Sequence, residues 1–450
     1  MSIFRGTRSR LSFAFRRPPA GRCRFKFPLA AVALLLMPAV AANAAADGVL
    51  ELDEAVALAL EHNPQLAGLR AQVEAVGTTP SQMHALPDPM LSLNFMNLPT
   101  DGFAFDQEPM TQVQLAVTQQ IPFPGKRDLQ HRAALHQVDA TEAMLGDRES
   151  WLAGQVRIAW WRLMNLDRSL QIVAQNKELM RDFVEIAQTK YKVGSGLQQD
   201  VLLAQLELSR LLDREIRLRG MRRAAEAEIN ALLDRPADRA VMLPEGPANR
   251  ELPDIPGREA LLQQAADSRQ LIAVQRELVD AARTRLELAR RDRYPDLRVG
   301  VGYGFRQDDP VTNMDRSDFL SVMFTVTVPI FAGDKQNKAV EQRTHEVTQQ
   351  NFALSDTLRR VESEVARSIA EYDAARDQVS LLETAIIPQA QQTVASMLAG
   401  YQVNQVDFLN LLNTQLTLYN AQINYWDSLS NAKQALARLA VATGTENLYE

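Results

Sequence analysis

The sequence predicts an α+β membrane protein built as a tandem repeat, each half supplying one pair of membrane strands and one very long helical hairpin. Three observations lead there: a self-match at a shift of about 208 residues, four segments in which apolar and polar residues alternate, and two heptad-patterned stretches too long for a compact domain. In the self-match Pro87 falls on Pro295, Pro122 on Pro329, Tyr191-Lys192-Val193 on Tyr401-Gln402-Val403 and Gln205-Leu206 on Gln415-Leu416, at shifts of 208, 207, 210 and 210. Near the start of each half, Pro64-Gln65-Leu66 pairs with Arg269-Gln270-Leu271 at 205, so the offset drifts by only a few residues.

Residues 1–26 carry eight Lys/Arg and no acid, an apolar run follows from Leu29 to Val40, and Ala42-Asn43-Ala44 gives a small-x-small cleavage pattern. Residues 1–44 are therefore expected to be an export signal. The run is shorter than the roughly 18 residues of a spanning helix. Arg16-Arg17 is followed by Pro18-Pro19 without the rest of a twin-arginine motif, so an ordinary signal is expected. Cys23, the single cysteine, precedes the apolar run, which leaves no lipoprotein cysteine, disulfide framework or thiolate metal site in the processed chain. Removing the eight positives leaves 41 Lys+Arg against 55 Asp+Glu, near −14, a poor balance for a nucleic-acid partner. With 46% hydrophobic and 23% charged residues, 20 Gly and 21 Pro, disorder and a collagen-like chain are both excluded.

The first repeat is expected over 45–235 and the second over 257–450, with a linker at 236–256 marked by Pro236, Pro244, Pro247, Pro253 and Pro256. Asp53 is expected to cap a helix running to Asn63, and Pro64 to open a second that ends before Pro87. Four strands are expected. In Met90 to Asn97, Leu91, Leu93 and Phe95 oppose Ser92 and Asn94; in Thr111 to Ile121, Val113, Leu115 and Val117 oppose Gln112, Gln114, Ala116 and Thr118. In Leu297 to Phe305, five apolar or aromatic residues oppose Arg298, Gly300, Gly302 and Gly304, and Leu320 to Val328 alternates in the same way. These lengths suit tilted membrane strands with one lipid-facing and one water-facing side. Two hairpin helices follow their strand pairs: 125–191, with Leu166, Leu170, Val173, Met180, Val184, Ala187 and Tyr191 at heptad steps broken by Lys177, and 333–401, broken by Ser368 and kinked at Pro388. At 1.5 Å per residue each is ~100 Å long.

Four strands cannot span lipid alone, because an open edge leaves backbone groups unpaired at several kcal/mol each. The chain must oligomerise; a dimer would give eight strands and a trimer twelve. Residues 98–110 and 306–317 would form the extracellular loops, and Pro122-Phe123-Pro124-Gly125 and Pro329-Ile330-Phe331-Ala332-Gly333 the strand exits toward the helices.

The order of helices and strand pairs, the duplication, the Pro-Phe-Pro-Gly-Lys exit and the Tyr-x-Val turns together resemble the TolC family of outer membrane factors over essentially the whole processed chain. The resemblance implies a homotrimer: a 12-strand barrel in outer membrane lipid, continued by a helical tunnel across the periplasm. It would be a passive exit duct docked to a periplasmic adaptor and an inner-membrane pump of the RND type, with no cofactor. The family's aperture lies at the hairpin turns, where Asp200 and Tyr401 stand at matching positions, while Val406 stands where an arginine is found. Val193, Gly194, Ser195, Val403 and Asn404 match the tips that adaptors contact. Met96-Asn97-Leu98-Pro99 and Phe105-Asp106-Gln107-Glu108-Pro109-Met110 look most like members serving heavy-metal pumps, with drug efflux and type I protein secretion left open.

In a different class, a periplasmic adaptor or an exported coiled coil would share the long helices but leave the alternating strands unexplained. An enzyme is not expected. The glycines of Val299-Gly300-Val301-Gly302-Tyr303-Gly304 alternate within a strand, so they form no phosphate loop. The five histidines show no metal spacing, His131 and His136 lying on different helix faces, and Met83, Met90, Met96 and Met110 are scattered as packing residues.

Overall fold

The computed structural model describes residues 48–246, 249–312 and 314–445; the expected export signal, with Cys23, lies outside them. The first half runs α1 (Leu52–His62), α2 (Pro64–Gly77), α3 (Thr79–His84), β1 (Met90–Met96), β2 (Gln112–Ile121), α4 (Lys126–Lys192) and α5 (Gln198–Leu232). The second runs α6 (Arg258–Ser268), α7 (Gln270–Arg291), β3 (Leu297–Phe305), β4 (Phe319–Val326), α8 (Gln336–Leu381), one π-helical turn (Leu382–Ile386), α9 (Ile387–Gln402) and α10 (Phe408–Thr443).

The opening helices correct two expectations. Asp53 lies inside the first turn of α1, where the helix dipole favours an acid, and Glu51 takes the cap position. The side-chain cap belongs to Asn63, whose Oδ1 accepts from the N–H groups of Gln65 at 2.9 Å and Leu66 at 3.4 Å to start α2. The helix expected to run on to Pro87 is broken after Gly77, because Pro80 has no N–H to continue it and instead opens α3.

The four strands form one antiparallel sheet in the order β1-β2-β3-β4. Its register aligns the apolar residues in rows, Leu91–Val117–Val301–Val322 and Leu93–Leu115–Tyr303–Leu320. Those rows are exposed, from 43% at Leu115 to 71% at Leu320, while Gln112, Gln114 and Ala116 on the other face are buried. A soluble sheet would show the reverse, so the apolar face is the lipid face. On the polar face the β3 glycines make room for β2 side chains: a Cβ on Gly304 would lie 1.7 Å from Gln112 Oε1, and one on Gly300 would lie 2.6 Å from Thr118 Cγ2. The strand ends follow local chemistry. Asn97 turns at φ 53 and stops β1, and β4 stops at Val326 because its partner β3 begins at Leu297.

The Pro-Phe-Pro-Gly-Lys exit locks β2 to the entrance of β3. Gly125 sits at φ 83, Phe123 stacks on Tyr294 with ring centroids 4.6 Å apart, and the Phe123 N–H donates to Asp296 Oδ1 at 2.8 Å. Lys126, buried beneath this turn, donates to the same carboxylate at 2.9 Å and to the Tyr294 carbonyl at 3.1 Å.

At 67 residues, α4 is ~100 Å long. The second long helix is interrupted where Pro388 cannot donate to the preceding turn, and the π-helical turn absorbs the mismatch. A buried amide pair, Gln415 Nε2 to Asn176 Oδ1 at 2.9 Å, fixes the register of α10 on α4. Lys177, the break in the α4 heptads, pairs with Glu215 across to α5. The main core surrounds Trp160 and Trp161 midway along the bundle. The proline-rich stretch crosses it there, with Leu50 N–H donating to the Met242 carbonyl at 2.8 Å and Leu252 and Ile255 packed beside Tyr372. Leu202, Leu206, Leu212 and Ile216 leave an exposed apolar stripe along α5.

Candidate functional site

At the end remote from the sheet, the two helical hairpins turn side by side. Each turn uses one left-handed residue, Gly194 at φ 74 in the first and Asn404 at φ 58 in the second. The closing hydrogen bonds repeat at the same offset: Ser195 N–H to the Lys190 carbonyl and Gln405 N–H to the Gly400 carbonyl, both 2.9 Å. Val193 and Val403 stand at the extreme tip, 71% and 62% exposed, with Gly194, Ser195 and Asn404 exposed beside them. Each turn therefore presents one valine to solvent.

Behind the tips, Asp200 and Tyr401 line one cleft of ≈300 Å³ together with Lys190, Asp407 and Phe408. Asp200 is buried and accepts the Leu197 backbone N–H at 3.4 Å, so it also serves the start of α5. Burial pushes its carboxyl above the ordinary carboxylate range, the Leu197 N–H opposes this, Asp407 adds to it and Lys190 opposes it. Tyr401 packs on Phe408 at 5.5 Å in the core formed by Met180, Phe183 and Leu411. Its hydroxyl is buried without a hydrogen-bond partner, and burial, with Asp200 and Asp407 behind it, raises its pKa. Within one chain Asp200 and Tyr401 are therefore neighbours that do not bond.

Lys190 makes the tie that does form. Its Nζ donates to the Tyr401 carbonyl at 2.6 Å and to Asn404 Oδ1 at 2.7 Å, and lies 4.0 Å from the centre of the Tyr401 ring. It joins the first hairpin to the second in the same cleft that Val406 lines. The sequence carries a signal for it in the repeat: at a shift of 210, Lys190 with Gly196 corresponds to Gly400 with Val406. A Cβ on Gly196 would lie 2.9 Å from Lys190 Cβ, and one on Gly400 would lie 2.5 Å from Val406 Cγ2. Each turn holds one large and one small residue in contact, with the order exchanged. Val406 therefore fills the space over Gly400, and the basic group sits on the other hairpin.

Among the described residues one set has metal-ligand geometry. His136, Asp139 and Glu277 bring ligand atoms within 4.8 Å of one another between α4 and α7. Spacing along the chain hides it, because Glu277 comes from the second repeat. His136 Nδ1 and Glu277 Oε2 lie 2.8 Å apart, so the two half-buried groups already satisfy each other. No helix among the described residues is long and apolar enough to cross a membrane.

Comparison with known proteins bears on this geometry. The Cobalt-zinc-cadmium resistance protein CzcC of Cupriavidus metallidurans is 21% identical over 396 residues, covering 87% of this chain and 89% of the relative. The Alkaline protease secretion protein AprF of Pseudomonas aeruginosa is 24% identical over 351 residues, covering 76% and 71%. Among solved structures, the outer membrane protein VceC of Vibrio cholerae superposes with a TM-score of 0.73 at 18% identity, covering 89% of this chain and 97% of that one. CusC gives 0.73 at 16%, covering 88% and 92%. The structural neighbours are trimeric channels in which a barrel continues as a helical tunnel, and the sheet and hairpins described above have the fold of one protomer of such a channel. The family model described as Outer membrane efflux protein matches residues 55–235 and 261–445, and the chain belongs to that family: it is a channel of the outer membrane that reaches into the periplasm, not an enzyme.

Proposed function

We propose that this channel is the exit duct of a heavy-metal cation efflux system, docked through its hairpin tips to a periplasmic adaptor and an inner-membrane pump of the RND type. The observation that carries the reading is the match to the cobalt-zinc-cadmium resistance protein across nearly the full length of both chains. The acidic balance of the processed chain suits a cationic cargo. In this reading Val193, Gly194, Ser195, Val403 and Asn404 form the adaptor contact, and Asp200, Tyr401 and Lys190 restrain the aperture. No chemistry is required of the duct; the tips either leave or close a path, and the pump supplies the energy.

The alkaline protease secretion relative favours a second reading, an exit duct for type I protein secretion. One experiment separates them. A deletion strain is challenged with cobalt, zinc, cadmium, copper and silver, and its culture supernatant is compared with the parent's. Sensitivity to metals with an unchanged supernatant supports metal efflux. Normal metal tolerance with loss of a secreted protein overturns it.

A further inference from the structure

The junction that locks β2 to β3 has a counterpart in the second repeat that is left open within the chain. In the first repeat the Lys126 N–H donates to the Phe123 carbonyl three residues back at 3.1 Å; in the second, whose turn is one residue longer, the Lys335 N–H donates to the Phe331 carbonyl four residues back, also at 3.1 Å. With Ile330 and one further residue inserted in the second turn, Phe123 aligns with Phe331 at a shift of 208 and Lys126 with Lys335 at 209. The acceptor side follows from the shift of 208 that aligns Pro87 with Pro295: Asp296 corresponds to Asp88, and Tyr294 to Leu86. Within the chain the first set is assembled, with Lys126 buried against Asp296. The second set is open. Phe331 is 72% and Leu86 46% exposed, and Lys335 and Asp88 are exposed too. The sheet order explains why, because β2 lies beside β3 while β4 and β1 are the two free edges.

We infer that β4 of one copy pairs with β1 of the next in the register of the β2–β3 pair, and that Lys335 of one copy salt-bridges Asp88 of the next beneath Phe331. The register can be written out. Val117 faces Val301 within the chain, and its repeat image sets Phe324 opposite Leu93 of the neighbouring copy. Leu115 faces Tyr303, which sets Val322 opposite Phe95, and Gln119 faces Val299, which sets Val326 opposite Leu91. All six residues belong to the apolar, lipid-facing rows, an agreement that a shift of one residue would destroy. Asp88 would accept from Lys335, as Asp296 does from Lys126, and the Phe331 ring would cover Leu86 where Phe123 covers Tyr294. The inference concerns assembly and holds whatever the cargo.

The test uses the full-length protein assembled in outer membranes. Leu93→Cys with Phe324→Cys, treated with a membrane-permeant oxidant, should give covalent dimers and trimers on non-reducing gels, because directly opposed Cβ atoms lie about 5 Å apart. Leu93→Cys with Val322→Cys, displaced by two residues, should give at most about a tenth of that yield. In parallel, Lys335→Asp and Asp88→Lys should each lower the yield of heat-resistant trimer, and the double exchange should restore it. Cross-linking in the displaced pair instead of the aligned one, or a double exchange that assembles no better than the single variants, would overturn the inference. The cysteine pairs leave the charged groups intact, so they report the register even where a charge variant fails to assemble.

Discussion

Replacing Lys190 with Met keeps most of the side-chain stem and removes the ammonium that hydrogen-bonds the first hairpin tip to the second. Three contacts are lost: donation to the Tyr401 carbonyl at 2.6 Å, donation to Asn404 Oδ1 at 2.7 Å, and the ammonium over the Tyr401 ring at 4.0 Å. A hydrogen bond involving a charged group nets about 1.5 kcal/mol after exchange with water, and the Asn404 contact, being exposed, counts for less. A partly exposed cation–π contact adds about 0.5 kcal/mol. Together they hold the packed tip by about 2 kcal/mol per chain, or roughly 30-fold in the balance between packed and splayed tips. A channel open about 1% of the time would then be open about a quarter of the time. Single-channel recording in planar bilayers reads this directly, with Lys190→Arg as the variant that retains a donor. If Lys190→Met leaves open probability and conductance unchanged, the tie does not restrain the aperture and the geometric argument fails.

The raised carboxyl of Asp200 gives a pH dependence. Its pKa is higher in the packed tip than in a hydrated one, so the protonated form favours packing: acidification should close the channel, and raising the pH through the elevated value should loosen it. Asp407, Lys190 and Tyr401 face the same cleft, so the assignment rests on Asp200→Asn abolishing the dependence in conductance measured against pH; a persistent dependence would assign it elsewhere. Lys433 is buried, and burial, opposed by Glu251, pushes its pKa down to about 8 from about 10.5, a cost of up to about 3 kcal/mol while it stays charged. Stability should therefore rise between about pH 8 and 10.5, and Lys433→Met should raise the melting temperature at pH 7; a lower one would show that the ammonium's contacts outweigh its desolvation. Val322→Lys places a charge in the middle of the lipid face, costing ~2–4 kcal/mol per copy, and should reduce recovery from outer membranes, whereas normal recovery would mean that this face does not meet lipid.

The strands and long helices were legible because both depend on periodicity, and the burden on each residue is the same along the whole element. Alternation over Leu91 to Phe95 and Leu297 to Phe305 points to a two-faced sheet, and exposure then identifies which face meets lipid. What periodicity missed was local and depended on single atoms: Asn63 rather than Asp53 as a cap, Pro80 as a break, and the end of β4 where its partner strand begins. The site shows the same division. The turns were visible as Tyr-x-Val, but Lys190 was not, because its partners are a carbonyl and an amide from a segment more than two hundred residues away. His136 and Glu277 were hidden for the same reason.

The repeat also explains why an aperture can be built at one end and a seal at the other from nearly the same parts. At the barrel end the two halves present equivalent lysine, phenylalanine and aspartate residues, so contacts within a chain and contacts between chains can be alike, and the ring closes without a weak seam. At the tips the halves differ. Lys190 over Gly196 faces Gly400 under Val406, so a cation is available on one hairpin of each chain and absent from the other. A ring of six equivalent contacts is a structure that opens only as a whole. In the proposed aperture the Lys190 tie within each chain would hold three joints while the contacts between chains yield, the property an aperture needs if the barrel above it is to remain closed to lipid.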